Sequence, residues 1–255
     1  MESNNNNPIN VKKAEMWFKI QQQYLQGSIE EQAALDSCIK YNHEFADAYA
    51  EKSVSYNKRG NHAVGFQYLN KAVELEPKVH LGYRGFVKLY MMRDYEGALE
   101  DYLRLDTLTP NFQDAPWGED IYKVIGLTYL QLQEYELSKK YLDKSIKTIS
   151  EKDGEDWVDS ETFLYRAIVS YIQKDYDTAI SYCDTLLKHN PQYPEAHFYK
   201  AKSLINMNKR DEAKKELLLS MQEFKDNNAR KSPYYEVPFQ LYMSDLEDLS
   251  HKLNL

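Results

Sequence analysis

Histidine, cysteine and clustered carboxylates are the residues that could carry chemistry in this chain, and their spacing decides whether they do. Of the six histidines, His189 and His197 lie closest together, but the intervening NPQYPEA interrupts helical spacing. They therefore cannot share a helix face as paired metal ligands would. His43, His62, His80 and His251 are isolated and read as surface or loop residues. The run EKDGEDWVDSE, from Glu151 to Glu161, places six carboxylates in eleven residues around Trp157. It lacks the ordered alternation and closing acid of a calcium loop, so it reads as a solvated connection between elements. Cys38 and Cys183 sit within apolar helical patterns, where a cysteine behaves as a small buried hydrophobe. No phosphate loop, G-x-G-x-x-G, G-x-S-x-G or H-E-x-x-H occurs. The expectation is a chain with no catalytic, cofactor-binding or metal site, and not an enzyme.

The elements that would position any other site are helices. Nine glycines and eight prolines are few for 255 residues, whereas 22 tyrosines are many, and 42% hydrophobic content supplies a sizeable core. The net charge of −8 opposes binding to phosphate backbones or anionic lipid, so nucleic acid is not an expected partner. Locally the sign reverses: His197 to Lys231 carries nine Lys or Arg against five Asp or Glu, which reads as a solvated helix face. No apolar run reaches the ~18 residues that span a bilayer, so no membrane insertion is expected. The start, MESNNNNPIN, has neither the basic nor the apolar region of a signal peptide and reads as a disordered polar lead over residues 1–12. A targeting or lipidation segment removed from before it would leave the same lead, so the compartment stays open.

The chain repeats itself. RDYEGALEDYLRLDTLTP, from Arg93 to Pro110, is echoed 81 residues later by KDYDTAISYCDTLLKHNP, from Lys174 to Pro191. Between Ala46 and Pro77, Tyr49, Ser53, Tyr56, Gly60, Ala72 and Pro77 fall at positions 4, 8, 11, 15, 27 and 32 of a 34-residue unit. Tyr122, Gly126, Tyr129, Tyr135, Ser138 and Ser145 follow the same order, as do Ala167, Asp175, Tyr176, Ala179 and Pro191. On these residues the chain resembles the tetratricopeptide repeat family over most of its length. The resemblance implies an all-α, right-handed superhelical solenoid of about six helix pairs, with approximate repeats 14–45, 46–79, 80–112, 119–150, 160–192 and 194–226. Residues 227–255 then form a loop and a C-terminal capping helix, whose stripe is Phe239, Tyr242, Leu246, Leu249 and Leu253.

Each part of the echo has a folding role. Asp94 and Asp175 stand where a second helix begins and can accept its unpaired backbone N–H groups. Ala98 and Ala179 fall where the paired helices cross, Tyr95 and Tyr176 can bury a ring while wetting a hydroxyl, and Pro77, Pro110 and Pro191 end the second helices.

The resemblance also implies that the first helix of every repeat lines a concave face where a protein or peptide partner docks. Carrying over the inward positions gives Asp47, Ala50, Val54, Asn57 and Lys58 in the second repeat. The fourth contributes Asp120, Lys123, Leu127, Leu130 and Gln131, and the sixth Glu195, Phe198, Lys202, Ile205 and Asn206. In repeats three and five the register allows either Tyr83 or Arg84, and either Tyr171 or Ile172. The expected partner-binding set is Asn57, Lys58, Tyr83, Arg84, Lys123, Gln131, Tyr171, Phe198 and Lys202: amides for a ligand's backbone, cations for its carboxylates and aromatics as anchors. The carboxylate clamp of co-chaperone repeats is not present as such, because its central Asn position reads Glu51 and its flanking positions read Leu81 and Gly85, or His80 and Arg84. The implied function is a non-catalytic interaction scaffold; the alternative is a subunit packed permanently in a larger assembly or a homo-oligomer.

Overall fold

The computed structural model describes residues 7–110 and 112–254. It divides between Trp117 and Gly118 into two compact units. Unit 1 contains α1 (Pro8–Gln21), α2 (Ile29–Tyr41), α3 (Ala46–Lys58), α4 (His62–Leu75), α5 (Pro77–Phe86) and α6 (Tyr95–Leu108). Unit 2 contains α7 (Ile121–Gln131), α8 (Tyr135–Lys152), α9 (Ser160–Ile172), α10 (Tyr176–His189), α11 (Pro194–Asn206), α12 (Arg210–Lys225) and α13 (Met243–Leu253). Among the described residues there is no strand. The helices pack as six consecutive hairpins, α1 on α2 through α11 on α12, and α13 closes on α12.

One backbone device makes every hairpin. Between its two helices each has a residue in the left-handed region: Gly27 (φ 82°), Gly60 (76°), Arg93 (57°), Gln133 (62°), Lys174 (64°) and Asn208 (61°). A left-handed residue ends the first helix and redirects the chain for the second. Only the first two are glycine, so in the other four the packing of the pair holds a conformation that an L side chain resists by about 1–2 kcal/mol. Past the turn, Asp94 accepts the Gly97 N–H at 3.0 Å and Asp175 accepts the Thr178 N–H at 3.2 Å, capping α6 and α10. Ala98 and Ala179 are fully buried at the crossings.

Four places depart from the sequence reading. First, α1 begins at Pro8, inside the segment read as a polar lead; Asn7 accepts the Ile9 N–H at 3.0 Å, and proline at the first helical position gives up only an N–H that would be orphaned there. Residues 1–6 of that lead lie outside the described residues. Second, Pro77 opens α5 instead of closing α4, from which Glu76 alone separates it, and α5 runs on into a π turn at Val87–Met92. That turn shifts the register within the third hairpin, which is why spacing alone left Tyr83 and Arg84 as alternatives.

Third, the acidic run is exposed along most of its length, as a solvated connection would be, but it is also anchored. Glu155 accepts from Lys188 at 3.0 Å and lies 2.9 Å from His189 Nε2, while Asp159 caps α9 and meets Lys123. Fourth, α13 starts at Met243, so Phe239 and Tyr242 precede it. Phe239 is left-handed (φ 56°), and the Tyr242 N–H donates to Asp245 at 2.9 Å as the helix begins. Residues 226–242 hold no helix.

Candidate functional site

In unit 1 the first helices of three hairpins, α1, α3 and α5, bound a cavity of about 510 Å³ together with residues 114–117. Gly82 allows that closure: a Cβ there would meet the Pro116 Cβ at 2.5 Å. Pro116 is followed by Trp117, itself left-handed (φ 55°), whose ring lies 4.3 Å from that of Tyr83. Half of the Trp117 surface stays exposed.

The polar side of the cavity is acidic. Asp47 and Glu51, one turn apart on α3, line it with Asp114, against Lys78 at its exposed edge. Asp114 accepts the Thr109 hydroxyl. Burial raises the Glu51 carboxyl above its ordinary value, the neighbouring charges of Glu31 and Asp47 add to the rise, and Lys58 opposes it in part. His80 also lines the cavity; it is 5% exposed, its Nε2 makes no hydrogen bond, and the Asp47 carboxylate is 3.4 Å away. Burial lowers its pKa despite Asp47 and Glu76, which keeps the ring neutral at neutral pH. Among the described residues neither Asp47 nor Glu51 is paired with a lysine or arginine.

The corresponding face of unit 2 is already filled. The Lys123 ammonium, 1% exposed, contacts Asp159 at 2.7 Å, Glu119 at 3.1 Å and Glu161 at 3.4 Å. Burial would lower its pKa, but the three carboxylates hold it well above the ordinary lysine value. Beside it Arg230, from the helix-free segment, donates to Glu161 at 2.9 Å and to the Tyr165 hydroxyl at 3.0 Å. Its guanidinium also donates to the Pro238 carbonyl at 2.9 Å, and its backbone N–H donates to the fully buried Glu195 at 3.0 Å. The Phe239 ring packs 6.3 Å from that of Tyr165, and Leu241 joins Phe198, Leu204 and Leu246 in one apolar cluster. The chain thus lays its own helix-free segment across α9 and α11.

The residues expected from spacing fall into different environments. Tyr83 lines the unit 1 cavity, and so do Asp47, Ala50 and Val54. Asn57 is buried, accepting from His62 Nδ1 at 3.2 Å and touching Gly65, while Lys58 donates to Gln26 at 2.6 Å. Arg84 makes a two-pronged contact with Asp101, at 2.9 and 2.6 Å, and a third bond to Asn70, so its charge holds α5 to its own hairpin. Lys123 is enclosed as described. Gln131 is half-buried at the end of α7. Tyr171, Phe198 and Lys202 do come together: the Lys202 ammonium sits 4.7 Å from the Tyr171 ring, 5.1 Å from Phe198 and 4.9 Å from Tyr199. Burial lowers the Lys202 pKa, although Asp245 opposes it. Trp117 and Arg230 carried no signal, because both lie in connections where helical periodicity gives no register; His80 carried one only through the alternative register of its helix.

Hairpins of antiparallel helices, stacked with the first helices sharing a face in each unit, define an all-α helical-repeat protein. Models of the tetratricopeptide repeat match residues 46–79, 120–151 and 171–231, and the chain is a tetratricopeptide repeat protein. Among solved structures it is similar to PilF of Pseudomonas aeruginosa, with 19% identity, 86% of this chain and 99% of that chain covered, and a TM-score of 0.64. A tetratricopeptide repeat protein of Parabacteroides merdae shares 16% identity over 95% of this chain and 86% of its own, with a TM-score of 0.68. YrrB, described as having an unusual peptide-binding site, shares 16% identity over 77% of this chain and 95% of its own, with a TM-score of 0.58. These likenesses establish a shared fold. No curated protein matches the sequence. Proteins of this family are in general non-catalytic scaffolds for protein or peptide partners. Among the described residues no helix is long and apolar enough to cross a membrane.

Proposed function

We propose that this chain is a non-catalytic interaction scaffold that captures an extended segment of a partner protein in the cavity of unit 1. The observation that carries this reading is the cavity itself: three first helices and the Trp117 connection bound an open space of about 510 Å³ lined by aromatic side chains and by Asp47 and Glu51, neither of which pairs with a lysine or arginine among the described residues. A preformed surface of this kind holds an extended ligand with little reorganisation of its own. The peptide-binding site described for YrrB, on a related fold, supports the same use. Burial pushes the Cys38 thiol up to about 12 and raises Cys183 as well, so both thiols are poor nucleophiles, which favours binding over catalysis. The acidic lining and the net charge of −8 argue against nucleic acid as the ligand.

Selection of random displayed peptides on the full chain tests the proposal. Retained peptides should lose binding to Trp117→Ala, and a set indifferent to that substitution places docking elsewhere.

A second reading, self-assembly through the first hairpin, is favoured by the exposure of Ile9, Met16, Leu25 and Ile29 on and beside α1 and α2. Sedimentation over a concentration series, with Leu25→Asp/Ile29→Asp as the control, checks it: a monomer at all concentrations removes this reading.

A further inference from the structure

The two units present the same positions to a ligand, and in unit 2 those positions are occupied. Asp47, Glu161 and Glu195 are each the second residue of a first helix, α3, α9 and α11; Glu51, Tyr165 and Tyr199 are each the sixth. In unit 2 the acids at the second position receive Arg230: Glu161 at 2.9 Å from its guanidinium, and Glu195 at 3.4 Å from its Nε and 3.0 Å from its backbone N–H. The sixth residue of α9 takes part too, with the Tyr165 hydroxyl accepting at 3.0 Å and its ring 5.5 Å from the guanidinium carbon. The molecule therefore contains an internal example of how this helix face holds an arginine carried on a helix-free segment.

Unit 1 repeats one of these acidic positions, Asp47, without the arginine; a second carboxylate, Glu51, stands where unit 2 has tyrosines, and Lys78 takes the second position of α5. From these observations we infer that the unit 1 cavity receives the guanidinium of an arginine carried on an extended partner segment, between the Asp47 and Glu51 carboxylates and beside the Tyr83 and Trp117 rings. This rests on the reading of the cavity as a peptide-docking surface. Several features fit it. The Asp47 side chain is 53% exposed and faces only His80 at ion-pair distance, so a cation can reach it. The buried His80 makes no hydrogen bond through Nε2, which lies 3.4 Å from Asp47, so the histidine does not occupy the Asp47 carboxylate as a paired cation would. The Tyr83 and Trp117 rings, 4.3 Å apart, give the planar cation a surface to stack on, which a lysine ammonium uses less well. Burial and like charges already destabilise the ionised Glu51, so a bound cation relieves a cost that the empty cavity carries. Lys78, at the exposed edge, is placed to meet an acidic residue elsewhere on the same segment.

The test uses the full chain and the displayed peptides whose capture depends on Trp117. These should carry an arginine, and a synthetic copy with that arginine replaced by citrulline, which keeps the shape and loses the charge, should bind at least about tenfold more weakly. Asp47→Asn/Glu51→Gln, verified as folded by circular dichroism, should lose the same discrimination. Trp117-dependent peptides that lack arginine, that bind equally well as citrulline, or that prefer lysine overturn the inference and leave peptide docking standing. If no captured peptide depends on Trp117, the docking reading itself falls.

Discussion

Asp47 of α3 and Glu161 of α9 occupy equivalent places in their hairpins and meet opposite fates. Glu161 shares Lys123 and Arg230 with Asp159 and the fully buried Glu195, in a network whose two cations are largely buried. Asp47 faces an open cavity and a neutral histidine. The backbone is not the cause, since both helices belong to hairpins turned by a left-handed residue, Gly60 in one and Lys174 in the other. What differs is residues 226–242, which bring Arg230 to α9 and α11. A first-helix face can thus be committed to stability by an internal ligand or left available to an external one, and this chain has one of each.

The largest expected effect comes from emptying the filled face. Arg230→Ala leaves the fully buried Glu195 with only the backbone N–H of residue 230 and Glu161 with only Lys123 at 3.4 Å, and breaking a buried ion pair from one side costs about 3–5 kcal/mol. Urea unfolding should show that loss, with hydrogen exchange accelerated in residues 226–242. A loss under about 1 kcal/mol would mean that the two faces are not energetically distinct.

Acid should separate the units next. Burial alone would raise Glu216 and Asp159, but His197 and Lys200 hold the first, and Lys123 the second, below their ordinary values. The unfolded chain therefore takes up these protons first. The stability they contribute is present above the ordinary carboxylate range and is lost as pH falls through the lower folded values, at up to about 1.4 kcal/mol per pH unit for each proton. Glu51 has the opposite sign: raised by burial, Glu31 and Asp47, its contribution is full below the ordinary glutamate value and is lost as pH rises through the folded one. Carboxyl-carbon NMR titration of the three residues checks the comparison. Equal midpoints for Glu51 and Glu216 would erase it.

The smallest effect belongs to Lys202. Its ammonium rests against three aromatic rings with no ion-pair partner among the described residues, so the ring contacts and the desolvation cost nearly cancel. Lys202→Met should change unfolding free energy by less than about 1 kcal/mol. A larger loss would show a hidden anion and make this part of unit 2 resemble the Lys123 network.

The hairpins were legible because their determinants are local. Asp94 and Asp175 cap helices a few residues away, and Ala98 and Ala179 meet a helix just before them in sequence, so one repeat carries the whole signal. The candidate site was legible only in part. Tyr83 lines the cavity and Phe198 meets Lys202, but Arg84 and Lys123, of the same residue types as a ligand-gripping cation, are spent on internal carboxylates. Nothing in spacing distinguishes a lysine facing a ligand from one facing Asp159, 36 residues on.

By itself the sequence determined the all-α hairpin array, because the period of its small, aromatic and turn residues acts over one helical hairpin at a time. Tertiary structure alone decided which face is open. That outcome depends on where residues without periodicity come to rest: Trp117 against Tyr83, and Arg230 against Glu161, 69 residues away along the chain. Charges so distant in sequence meet only when the stacked helices bring them within a few ångströms and exclude the water that would otherwise screen them.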